Sequence, residues 1–126
     1  MSEPLWIEQA EALLIHQQMI NKYGGSQGVR DHTLLESALA GPRNHFAYGE
    51  SDLCILAANY VKAICLNHPF IDGNKRTGFT IGMVFLEING VSVSADTQVA
   101  VDKVIGLIQR TETVETFTDW LRGNTK

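Results

Sequence analysis

Two apolar stretches, Ser51 to Asn67 and Asn74 to Ile88, restrict this chain more than any other feature of its sequence. In the first, Leu53, Ile55, Leu56, Tyr60, Val61 and Ile64 leave almost no polar side in any helical register. A helix that is apolar all round has to be covered all round, so both segments belong inside a fold. Pro69 stops the first, because the residue before a proline is pushed out of the helical region. Asn89-Gly90 ends the second. Gly78 and Gly82 lie one turn apart on the second helix, where a neighbouring backbone can come close. The two helices and the loop His68 to Gly73 between them form the expected middle of the structure.

The remaining segments read as helices laid around that centre. Trp6, Ala10, Leu13, Ile20 and Tyr23 recur at helical spacing between Glu3 and Tyr23, and Gly24-Gly25 provides a stop. Asp31 is a natural N-cap for a short helix from His32 to Ala40, closed by Gly41-Pro42. Arg43 to Glu50 shows no helical period and carries His45, Phe46 and Tyr48, which predicts an exposed loop or small hairpin. Val91 to Ala95 reads as briefly extended, Asp96 as the cap of a helix to about Arg110, and a last helix as ending near Leu121. Strand signals are nearly absent. The expectation is an all-α, compact helical bundle in which residues 1–126 make one domain. The 44% of apolar residues supply a core, and 19% charged residues are too few for a disordered chain.

Charge and cysteine usage remove several classes of function. The net charge is −4, which argues against nucleic-acid binding as the main activity, since phosphate contacts need a basic face. Cys54 and Cys65 are eleven residues apart within one helical stretch, too far along the axis to bond to each other. They read as buried apolar residues in a reducing compartment. The first residues lack the pattern of a signal peptide, and no stretch has the length of a membrane span. A cytoplasmic protein is expected.

The chemistry is concentrated in His68-Pro69-Phe70-Ile71-Asp72-Gly73-Asn74-Lys75-Arg76. An imidazole, a carboxylate, a glycine turn, an amide and two cations stand where one buried helix ends and the next begins. A helix N-terminus offers unpaired N–H groups and a positive dipole end, and so attracts anions. Gly73 lets the backbone turn there, and Lys75 and Arg76 add charge, Arg with a fork suited to phosphate oxygens. Asp72 could hold magnesium, which binds through one or two carboxylates plus substrate phosphates. His68 could take a proton from an attacking hydroxyl near neutral pH. Together these are the requirements of phosphoryl or nucleotidyl transfer. Singly, each has a plainer reading: Asp72 as a helix cap, Lys75-Arg76 as a solvated pair, His68 as a loop residue.

The same nine residues resemble the Fic/Doc signature His-Pro-Phe-x-Asp/Glu-Gly-Asn-x-Arg and match it at every defined position. Tyr23-Gly24-Gly25, Gly28-Val29-Arg30-Asp31, Leu34 to Leu39, Phe85 to Gly90 and Trp120-Leu121 are similar to the death-on-curing toxins of that superfamily. The resemblance implies His68 as catalytic base, Asp72 as magnesium ligand and Gly73, Asn74, Lys75 and Arg76 as the phosphate cradle, with Phe70 anchoring the loop. It implies ATP and Mg2+ as co-substrate and cofactor. AMP-transferring members carry glycine where this chain has Lys75. Members with lysine resemble the Doc branch, which transfers the γ-phosphoryl group of ATP to a threonine of elongation factor Tu. A toxin of a toxin–antitoxin pair is implied, with a Phd-like antitoxin whose C-terminal segment fills a groove and which alone links the protein to nucleic acid. The alternatives are AMP transfer on the same scaffold and a mainly antitoxin-binding regulatory module.

Self-inhibiting members pair a second arginine with a glutamate. That arginine is Phe79 here, and Thr111 and Glu115 reproduce only part of the glutamate motif, so the match reads as chance. His16 shares the stripe of Leu13, Ile20 and Tyr23 and reads as a hydrogen-bonded, partly buried histidine. His45, Phe46 and Tyr48 could meet a target segment or pack their own loop down. His32 reads as surface.

Overall fold

The structure, a computed structural model, describes residues 2–125. It contains six helices: α1 (Gln9–Tyr23), α2 (His32–Ala47), α3 (Leu53–Asn67), α4 (Asn74–Ile88), α5 (Thr97–Gln109) and α6 (Val114–Gly123). Among the described residues the only extended pairings are two isolated bridges, Val29 with Phe70 and Val93 with Thr125. The fold is all-α, as expected. No helix is long and apolar enough to cross a membrane among the described residues.

The central pair sits where the apolar pattern predicts. α3 packs most extensively against α4, with α2 and α6 on its other sides. Leu56, Ala57, Tyr60, Val61 and Ile64 of α3 and Ile81, Phe85 and Leu86 of α4 are completely buried. Each large apolar side chain so placed contributes about 1.5–3 kcal/mol relative to exposure. The two backbones can meet because Gly82 lies against α3. A Cβ there would stand 2.6 Å from Val61 Cγ2 and 3.0 Å from the Ala57 carbonyl oxygen. Both cysteines are free and buried. Burial pushes the Cys65 thiol up to about 12 and raises Cys54 as well, so both are inert apolar filling.

Two expected boundaries are wrong. The first helix begins at Gln9 rather than near Glu3. Residues before it are held by partners that a helix would have excluded. The Asn89 side chain donates to the Leu5 carbonyl and accepts its N–H, both at 2.9 Å, and the Tyr60 hydroxyl accepts the Ile7 N–H at 3.1 Å. This lead-in drops Trp6 onto Phe85, ring centres 5.7 Å apart.

The second correction concerns Gly41-Pro42, which does not close α2. The helix runs on to Ala47, so Arg43 to Ala47 is helical and neither loop nor hairpin. A proline removes one helical hydrogen bond and crowds the preceding turn. Here Pro42 is buried, Phe46 packs edge-on against Trp6 at 5.7 Å, and Arg43 pairs with Glu8. These contacts offset the loss. His45 is exposed and Tyr48, at 94% exposure, stands free beyond the helix end.

The close contact at Gly82 gives a direct test. Gly82→Ala should lower unfolding stability by about 1–3 kcal/mol, the usual range for overpacking. Gly123, with open space around its Cβ direction and a place at the end of α6, should behave oppositely. Gly123→Ala should add about 0.4–1 kcal/mol by restricting the unfolded chain. Urea unfolding midpoints of both variants check the pair.

Candidate active site

Everything in the site follows from how α3 hands over to α4. His68 caps α3 in the left-handed conformation, φ 54°, while its N–H still bonds the Ile64 carbonyl at 3.2 Å. A side-chain-bearing residue there costs about 1–3 kcal/mol and persists only where its surroundings enforce it. They do so from both sides.

On the outside, residues 28–31 clasp the loop. Pro69 O accepts the N–H groups of Arg30 (2.7 Å) and Asp31 (3.1 Å), and Gly28 O accepts that of Ile71 (3.1 Å). The Arg30 guanidinium donates to His68 O at 2.7 Å and Asn67 O at 2.9 Å. A cation on the last carbonyls of a helix satisfies orphan acceptors and complements the dipole. On the inside, Phe70 is fully buried and stacks on His16, ring centres 3.9 Å apart and planes 5° from parallel. His16 Nε2 donates to Asp72 O at 2.8 Å. Asn74 is buried too. Its Oδ1 accepts the Phe70 N–H at 3.0 Å, and its Nδ2 donates to Phe70 O at 2.9 Å and to His68 Nδ1 at 3.1 Å.

α4 then starts in an unusual way. The helices α2, α3, α5 and α6 begin with Asp31, Asp52, Asp96 and Thr113, each accepting a first-turn N–H. α4 begins with Gly73, φ 76°, and no side-chain cap. Its first intrahelical bond runs from Thr77 N–H to Gly73 O. The N–H groups of Asn74, Lys75 and Arg76 therefore lack an acceptor among the described residues. Asp72 does not cap the helix, which removes its plain reading. Its Oδ1 accepts the Gly73 N–H at 2.9 Å and its Oδ2 the Ser26 N–H at 3.2 Å.

Lys75 and Arg76 are exposed and have no acidic partner among the described residues. Arg76 lies over the Tyr23 ring at 3.9 Å, close enough for a cation–π contact. All this opens into a cleft of about 630 Å³. His68, Asp72, Gly73, Asn74, Lys75 and Arg76 line one end; Phe79, Met83, Val93, Ala100, Val101 and Val104 line the apolar remainder. One end gathers the cations and free N–H groups, and the other is apolar. The model of the Fic/DOC family matches residues 6–86, about two thirds of the chain and the whole of this loop.

The chain belongs to the Fic/DOC family.

Among similar proteins is one named protein kinase doc, of Escherichia phage P1, 32% identical over 117 residues that cover 92% of each chain. A second, named toxin Doc, of Mycolicibacterium smegmatis, is 40% identical over 77 residues, covering 59% of this chain and 58% of its own. Both carry Doc names, which sets the chain on the death-on-curing branch of the Fic/DOC family.

The six residues singled out from the Fic/DOC motif all line the one cleft. The Asn74 side chain, however, is turned inward and fully engaged, so what it offers an anion is its backbone N–H. His16 is buried and hydrogen-bonded, as expected, but it supports the loop rather than merely filling the core. Arg30 and Tyr23 emerge as functional supports. Tyr23 sits at helical spacing with the core residues of α1, yet it is 51% exposed and faces Arg76. Glu115 lines a different recess with Thr118 and Arg122, away from the cleft. Thr116 serves the capping box of α6 with Thr113.

If His16 supports the Fic/DOC loop as described, His16→Leu leaves Asp72 O without its donor. The expected cost is about 1–3 kcal/mol, with faster amide exchange at residues 71–73. His32→Ala, at an exposed position, should change stability by less than about 0.5 kcal/mol. Hydrogen exchange and urea unfolding read both.

Proposed function

We propose that this Fic/DOC protein is the toxin of a toxin–antitoxin pair, transferring the γ-phosphoryl group of ATP to a hydroxyl of a translation factor. A threonine of elongation factor Tu is the expected target. The observation that carries this reading is Lys75, a free cation on the uncapped first turn of α4. AMP-transferring relatives have glycine at that position, which allows phosphates close to the backbone. An ammonium there favours phosphates gathered around the lysine and turns the γ-phosphorus toward His68. The names of the two similar proteins, one a kinase and one a toxin, support the same direction.

Each part of the site has a task in this reaction. The free N–H groups of Asn74, Lys75 and Arg76, with the two cations, hold the phosphate oxygens. His68 takes the proton as the target oxygen bonds to the γ-phosphorus and the bond to ADP breaks. The donor set also fits magnesium. Asp72 is exposed and each of its oxygens accepts only one N–H. No group of three or more His, Cys, Asp or Glu could share an ion among the described residues. One carboxylate completed by phosphates and water is how magnesium is ordinarily held, and the ion would neutralise charge on the leaving ADP. Asp72 would be its ligand. The apolar part of the cleft suits a helical segment of an antitoxin, folding as it binds.

ATP labelled on the γ-phosphorus should mark the target in a translation extract, and ATP labelled on the α-phosphorus should not. The reverse pattern would establish AMP transfer. His68→Ala should slow transfer by about 10²–10⁴-fold with ATP binding retained. Asp72→Asn should reduce transfer far more than stability, since the carboxylate accepts only two exposed N–H groups and its charge serves the ion; equal losses in both would contradict a metal role. Magnesium titration of the labelling rate provides the measurement.

A further inference from the structure

The hydrogen bonds of Asn74 hold more information than its part in closing the loop. An amide's oxygen and nitrogen are told apart only by their partners. Here the backbone of Phe70 distinguishes them twice, with its N–H on Oδ1 at 3.0 Å and its carbonyl on Nδ2 at 2.9 Å. Turning the amide over would set donor against donor and acceptor against acceptor. With Asn74 only 4% exposed, water cannot make good that loss. Nδ2 therefore also faces His68 Nδ1 as a donor, 3.1 Å away.

A neutral imidazole has one N–H and one lone pair. A donor at Nδ1 requires the lone pair there, so the proton is carried by Nε2, which has no partner among the described residues. We infer that Asn74 is a positioning residue that sets the tautomer of His68 and latches the ring with a donor, not a lone pair, at its free nitrogen. The inference rests on the reading of His68 as the base. To take a hydroxyl proton at Nε2, His68 needs the opposite tautomer, whose Nδ1–H would meet the Asn74 amide donor to donor. The ring must leave Asn74 before it can act. The substrate-free site is thus held in a resting state, and engagement of the nucleotide or the target has to release it.

Nitrogen NMR on histidine- and asparagine-labelled full-length protein tests this at alkaline pH, where histidine rings are ordinarily neutral. The His68 signals are identified by their loss in His68→Gln. The proton should be on Nε2, in excess over the other form by about tenfold, a ratio one hydrogen bond of ordinary net strength supports. A scalar coupling should connect His68 Nδ1 with Asn74 Nδ2 across the bond. Asn74→Asp, checked for folding by circular dichroism, keeps an acceptor for the Phe70 N–H but offers the ring only an oxygen. The tautomer should then invert, with the proton on Nδ1. A purely structural role for Asn74 would leave the tautomer unmoved. A proton on Nδ1 in the wild type, no coupling, or a folded Asn74→Asp with the wild-type tautomer would each overturn the latch. The base reading fails separately: His68→Gln would then transfer phosphate at the wild-type rate, whatever the tautomer.

Discussion

The close approach of α4 to α3 at Gly82 is the contact on which the rest depends. It lets two largely apolar helices cover one another, and it determines where the chain must turn between them. The loop that joins these largely buried helices is bounded by a helix C-terminus and a helix N-terminus. Opposite ends of two dipoles then lie within a few residues. Arg30 answers the first with a cation on Asn67 O and His68 O. The second is left open. A locally positive end stands on a chain of net charge −4 because Lys75 and Arg76 lie there without acidic partners among the described residues.

The central helices and the reactive loop were legible because their determinants are local. An all-apolar helix, a proline stop and a dense motif can each be read within a few turns. The limits of α1 and α2 were not. Gly41-Pro42 is a sound stop signal by itself, yet Phe46 on Trp6 and Arg43 on Glu8 carry the helix past it. Those partners lie more than thirty residues away in the chain. The site divides the same way. His68, Asp72 and the residues of the first turn of α4 are adjacent in sequence, whereas the role of His16 is visible only once Asp72 O is beside it. The spacing of Tyr23 places it on an apolar stripe, yet it is exposed, with Arg76 above its ring.

Hydrogen bonds within the loop divide the labour between side chain and backbone. Asn74 spends its amide inward, on Phe70 and His68, and leaves its N–H outward at the start of α4. The same residue therefore joins the loop together and leaves a free N–H on the first turn of α4. Lys75 and Arg76 add exposed side chains to N–H groups that are equally free. A rigid, buried hinge carrying solvent-facing charge is an arrangement suited to phosphate chemistry, where orientation matters more than bond-making by the protein.

The clasp has a consequence for how such a chain comes into being. The supports of the loop are separated from it by 56 residues at His16, 46 at Ser26 and 38 at Arg30. Contacts of such separation form only after large segments of chain have closed on one another. A nascent polypeptide emerging from the ribosome through α3 possesses a helix but no anion site, and α4 alone possesses an open N-terminus with nothing to aim it. Loosening α1 and the clasp would dismantle the site while the α3–α4 pair stays folded. An ordered loop is in this sense among the late properties the chain acquires and the early ones it loses.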